Sequence, residues 1–205
     1  MTNPLTDAVH HIERAEGLDR PAALYERALA PLGRPGTVRD VLTGRPLGHA
    51  AHPMLTDVPI GCWTSATVLD LVGGRGSRHA ATLLVGLGTA AAVPTALTGA
   101  AEWLQTDRVS RRVGVVHANA NAVGLALYAA SWTARRRHRH GWGTALALAG
   151  MAVASVAGHL GGHLTIARKV GTVEGRPPSG AGADAAVGPS AAVVGGQPSA
   201  KTPSP

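Results

Sequence analysis

Gly48-His-Ala-Ala-His-Pro-Met-Leu-Thr-Asp-Val-Pro-Ile-Gly-Cys-Trp63 carries two histidines three residues apart, a carboxylate and two prolines. It runs directly into the first of four apolar segments. That segment, residues 58–72, covers about 22 Å as a helix, short of a bilayer core of about 30 Å unless residues 53–57 extend it. Thr56 or Asp57 is placed to cap it, and Pro59 is tolerated in a first helical turn. Asp70 near its far end requires the interface or a partner.

Three clearer segments follow. Residues 80–101 carry no charge and contain Pro94. Residues 113–134 carry no formal charge but hold His117, Asn119 and Asn121, and residues 141–167 hold His159 and His163. Each has the length that a bilayer core demands. Each is also apolar around most of the helix, which a soluble bundle would not need. Trp63, Trp103, Trp132 and Trp142 lie near segment ends, where interfacial tryptophans belong. The expected fold class is therefore all-α: a four-helix transmembrane bundle with spans at about 54–72, 80–103, 113–134 and 142–166.

Before the bundle, residues 1–47 form an amphipathic region and a linker. Leu5, Val9 and Ile12 share one helical face, and Leu24, Ala28 and Leu29 repeat the spacing after a break at residues 17–21. The mixed charges there place this region at the membrane surface or in the cytosol. The membrane domain is expected over 48–170, and residues 171–205, rich in Gly, Ala, Pro and Ser, read as a disordered tail. No convincing internal repeat stands out, because likeness between Ala-rich helices is not evidence of one.

The net charge of +7 comes from arginines clustered at the ends of apolar segments, where they meet lipid phosphates, so nucleic acid is not the expected partner. Cys62 is the only cysteine, which excludes a disulfide framework or a cysteine-ligated cluster. No apolar run with a small-residue cleavage site occurs in the first 50 residues, so a cleaved signal peptide is not expected. No Ser/His/Asp or Cys/His arrangement suggests nucleophilic catalysis, and no catalytic residue is assigned.

Four spans put the chain start, the loop 104–112 and the chain end on one side of the bilayer, the near side. His49, His52 and Asp57 enter there, Glu102 and Asp107 sit at its loop, and His117 lies about five residues past Arg112. His163 is five residues from Arg168, which predicts a similar depth, with His159 about 6 Å deeper. His117, Asn121, Gly124 and Tyr128 fall on one helical line, and Ser155, His159 and His163 on another. Both lines should face the bundle interior, since polar groups are costly in hydrocarbon.

Four stretches, Leu47–Gly61 (containing Gly48-His-Ala-Ala-His-Pro-Met-Leu-Thr-Asp-Val-Pro-Ile-Gly61), Thr98-Gly-Ala-Ala-Glu-Trp103, Arg112-Val-Gly-Val-Val-His117 and Gly158-His-Leu-Gly-Gly-His163, resemble a family of bacterial multi-pass membrane proteins. That family is catalogued as domain of unknown function 2231, and the likeness covers about residues 47–170. It implies a four-helix integral membrane domain without an established activity. Some relatives carry a Rieske-type iron–sulfur domain after the last helix, which hints at redox work. This chain departs from those, since one cysteine cannot build such a cluster, so a redox partner would be a separate protein.

Two functional readings follow. In the first, the chain is a redox-associated, electron-transfer membrane subunit that holds haem b or a transition metal. His117 with His163 or His159 would supply axial ligands, and His52 would join a compact metal site with His117, His163, Asp57 or Glu102. In the second, the histidines and asparagines are interhelical glue in a structural or protein- and lipid-interaction module with no cofactor. The expected location is the bacterial inner membrane. The positive-inside count only slightly favours the near side, and the Arg135–His140 run opposes it. The long polar N-terminal region decides for both termini in the cytoplasm.

Overall fold

The computed structural model describes residues 3–171, and no strand occurs among them. The tail read as disordered lies, from residue 172 onward, outside the described residues. Three short helices come first: α1 (Pro4–Arg14), α2 (Asp19–Gly33) and α3 (Thr37–Leu42). Four long ones follow: α4 (Ala51–Val72), α5 (Arg78–Trp103), α6 (Arg108–Arg136) and α7 (His140–Gly162). A π-helical turn, His163–Ala167, continues α7.

The long helices form an up-and-down bundle of two hairpins, α4–α5 and α6–α7. Among the described residues three stretches are long and apolar enough to cross a membrane: Arg75–Trp103, Arg108–Arg136 and His140–Ala167. The expected first span is the exception. With 22 residues α4 is long enough, at about 33 Å, but its polar residues, His52, Asp57 and Asp70 among them, keep it out of that class. It packs lengthwise against α5 all the same.

The helices also begin earlier than the apolar runs suggested. Asp107 caps α6 by accepting the Ser110 N–H at 2.8 Å, so the Arg108–Arg112 turn is helical and His117 lies nine residues past the first helical residue. In α4 neither Thr56 nor Asp57 is the cap. The helix starts at Ala51 after a turn in which Gly44 and Gly48 have φ of 71° and 75°, and a Cβ on Gly44 would strike the His49 carbonyl. Pro59 removes the hydrogen bond that Leu55 would receive, and the Thr95 hydroxyl of α5 donates to that carbonyl instead, at 3.2 Å.

Large side chains nest on glycines of the neighbouring helix. Trp63 lies against Gly88, Tyr128 against Gly150, Trp132 against Gly86 and Trp103 against Gly114. Between lipid-bathed helices there is little hydrophobic driving force, so close packing on small residues must supply the attraction.

These contacts reveal an internal duplication that residue likeness alone did not show. Shifting α4 by 65 residues onto α6, and α5 by 62 onto α7, superposes the packing. Trp63 on Gly88 matches Tyr128 on Gly150, and His52 on Gly99 matches His117 on Gly161. The buried Val85 matches Ala147, and Ala66 matches Ser131. Two matched pairs touch each other directly: Trp63 stacks on Tyr128 with ring centres 3.9 Å apart and planes 6° from parallel, and Asp70 pairs with Arg135. Equivalent positions that touch one another at two levels define a pseudo-two-fold axis along the bundle.

The N-terminal helices dock on the bundle instead of lying apart from it. Val9 is buried with Val113, Leu160 and Leu164, while Leu5, expected on the same buried face, is exposed.

Candidate functional site

The near end of the bundle, where α4 and α6 begin and α5 and α7 finish, gathers most of the expected site residues. His52 is half-buried on the first turn of α4. Its Nδ1 lies 2.9 Å from the Thr95 carbonyl of α5, and its ring lies over Gly99, where a Cβ would come within 2.8 Å. A carbonyl can only accept, so Nδ1 carries the proton and Nε2 presents a lone pair. His117 repeats the arrangement on the other hairpin. Its Nδ1 donates to the Ala157 carbonyl of α7 at 2.8 Å, and Gly161 lies under the ring. The Asn121 amide, one turn on, donates to His117 Nε2 at 3.0 Å.

Glu102 is buried at the end of α5, and its Oε1 accepts the His52 backbone N–H at 3.2 Å. It thus serves as the side-chain acceptor that the Ala50 cap lacks.

The other expected ligands go elsewhere. His163 Nε2 meets Glu13 Oε1 of α1 at 2.9 Å, and His10 holds the other oxygen of that carboxylate at 2.8 Å. His159 and Ser155 lie on the outer surface of α7, against the expectation that their line turns inward. Ser155 can face outward because its hydroxyl donates to Met151 O on its own helix. The inward line of α7 is Gly150, Ala157 and Leu160, continued by Leu164 of the π-helical turn. Asp57 is exposed on α4, and so is His49 in the preceding turn. The compact metal set of His52, His117, His163, Asp57 and Glu102 is therefore not assembled. Among the described residues no group of three or more His, Cys, Asp or Glu side chains could hold a metal ion.

What the sequence did not disclose is the ionic layer that fastens the N-terminal helices to this end. Asp19 receives Arg112 Nε at 2.8 Å and Arg108 Nη2 at 2.7 Å, and these two guanidiniums hold its carboxyl far below the usual range. Arg112 also donates to the Glu13 carbonyl at 2.8 Å. Partial burial pushes the Glu13 carboxyl up, but hydrogen bonds from His10 and His163 outweigh it and the net shift is downward. Asp107 behaves alike: burial raises it, and the Ser110 N–H with Arg168 brings it below its ordinary value. Arg111 pairs with Glu26, and Tyr25 donates to Asn119 at 3.0 Å. The visible signal was the charge alternation Glu13, Glu16, Asp19 set against Arg108, Arg111, Arg112, but nothing local pairs acids and bases so far apart in the chain.

No curated protein and no solved structure matches the chain. A family model does, over residues 48–174, which include the four long helices with His52, Glu102 and His117. The chain belongs to the family described as predicted membrane protein, domain of unknown function 2231.

Proposed function

We propose that the domain is a redox-associated membrane subunit in which His52 and His117 would hold a b-type haem at the near end of the bundle. The observation that carries this reading is the identical placement of the two imidazoles at pseudo-equivalent positions. Each gives its Nδ1 proton to a backbone carbonyl of the neighbouring helix, so Nε2 is the nitrogen that would bind a metal. Protein imidazoles that bind metals are held in this way, with the second ring nitrogen spent on a carbonyl or carboxylate. The donor set favours haem over a closed metal site in this reading. A closed transition-metal site needs three or four donors, and those do not gather. A haem needs two from facing helices. Bound there, haem would supply one-electron transfer.

The residues' own tasks follow from their contacts. Thr95 and Ala157 orient the rings, Gly99 and Gly161 admit them, and Glu102 anchors the start of α4 through the His52 N–H. A separate redox protein would be the electron partner.

A second reading has a specific observation in its favour. Asn121 already occupies His117 Nε2, which makes the imidazoles polar ties between helices in a cofactor-free interaction module. An absorption spectrum of detergent-purified protein separates the two. The haem reading expects a Soret band that disappears in His52→Ala and in His117→Ala, with helical content retained, and persists in His159→Ala and His163→Ala. Colourless protein after expression with added haem precursor supports the second reading, and a band lost only with His163 overturns the proposed pair.

A further inference from the structure

The two ends of the bundle treat their arginines in opposite ways. At the near end Arg39, Arg45, Arg108, Arg111, Arg112 and Arg168 all pair with carboxylates of the chain. At the far end, formed by residues 73–79 and 136–140, the only nearby acid in the sequence is Asp70. Arg135 consumes it: that guanidinium is fully buried, and Nη1 meets Asp70 Oδ1 at 2.8 Å. Among the described residues Arg75, Arg78, Arg137 and Arg139 have no ion pair or side-chain hydrogen bond, and Arg136 has only the face of Trp132, 5.8 Å from the ring centre. Trp132 and Trp142 are exposed at the same level, Trp142 by 69%. Exposed tryptophans of a spanning helix mark the headgroup level. His140, whose Nδ1 is buried without a hydrogen-bond partner, sits among Arg78, Arg135 and His138.

We infer that the far end is a docking surface for anionic phospholipid headgroups of the surrounding bilayer, with Arg75, Arg78, Arg136, Arg137 and Arg139 as phosphate donors. Five guanidiniums without internal counter-charges at headgroup depth need external anions, and lipid phosphates are the anions already there. At the near end the six arginines of the long helices and their loops share Asp40, Asp19, Glu26 and Asp107, so each already meets a carboxylate, although Arg14, Arg20, Arg27 and Arg34 of the N-terminal helices have no ion pair among the described residues. Each arginine close to an anionic surface is worth roughly fivefold in lipid preference.

The test uses the full chain reconstituted in vesicles of phosphatidylcholine with an equal part of phosphatidylglycerol, one lipid or the other brominated. Two reporters retain a single interfacial tryptophan each, Trp142 or Trp103, the others being changed to Phe. Brominated phosphatidylglycerol should quench Trp142 several-fold more than brominated phosphatidylcholine, and Trp103 about equally. The fivefold Arg→Gln variant should bring the Trp142 ratio to that of Trp103. Raised sodium chloride should do the same to the unaltered arginines, which keeps the test independent of how the variant folds. Equal quenching by both lipids at Trp142 overturns the inference. So does displacement by inorganic phosphate at an ionic strength where chloride has no effect, which would assign the site to a soluble anion.

Discussion

The hairpins α4–α5 and α6–α7 make the same contacts with different side chains. Where the first has Trp63 on Gly88, the second has Tyr128 on Gly150, and where the first has Asp70 the second has Arg135. His52 and His117 are identical and make the same Nδ1 bond to a carbonyl of the neighbouring helix, though only His117 also accepts from an asparagine. Positions that meet across the axis have diverged into complementary partners, a stacked pair and an ion pair. The hairpins also differ in dress: the N-terminal helices fasten their charged residues to α6 and the end of α7, through Asp19, Glu13 and Glu26.

The buried ion pair offers the largest way to break this equivalence. Arg135→Leu leaves Asp70 buried and unpaired, which costs about 3–5 kcal/mol and should show as a large loss of melting temperature in detergent. The exchange Asp70→Arg with Arg135→Asp should recover part of that loss. Arg135 lies over Gly143, whose counterpart is Ala81, so adding Ala81→Gly should recover more. No recovery in either would mean that the two positions are not equivalent.

Next come the glycines under the central rings. A Cβ at Gly88 would approach Trp63 Nε1 to 2.6 Å, while one at Gly150 would stay 3.1 Å from Tyr128. Gly88→Ala should cost about 1–3 kcal/mol and Gly150→Ala clearly less. Equal losses in thermal melts would show that the first hairpin is not the tighter one.

The imidazole ties should be smaller and matched. His52→Ala and His117→Ala each remove one interhelical hydrogen bond, about 1 kcal/mol, and unequal melts would sharpen the comparison by showing which hairpin depends on its tie.

The smallest effect is pH-dependent and confined to the second hairpin. The Glu13 carboxyl is lowered in the folded protein, so its contribution is fully present above the ordinary glutamate value and is lost as pH falls through the lowered one. Hydrogen exchange should show α1 losing protection on acidification before α4 and α5 do, and Glu13→Gln should abolish the difference.

Much of the fold was legible in the sequence. Long uncharged runs such as 80–101 can satisfy their backbone in lipid only as helices, so length and composition set the helix count. Charge at the ends hid the true starts, because a cap such as Asp107 lets a helix run through Arg108–Arg112 into water. Of the expected site residues, His52 and His117 each bond a carbonyl of the neighbouring helix at the same end of the bundle, whereas His163 is taken by Glu13, 150 residues away in the chain, and His159 faces outward.

By itself, the chain determined that apolar helices of bilayer length would form and that imidazoles would enter them near one end, because hydropathy and helical rise are local properties. Only tertiary packing decided which glycine each ring would rest on, which acid each arginine would meet, and that two unlike hairpins are one arrangement made twice. Those outcomes depend on distances between segments far apart in sequence, and no single helix encodes them.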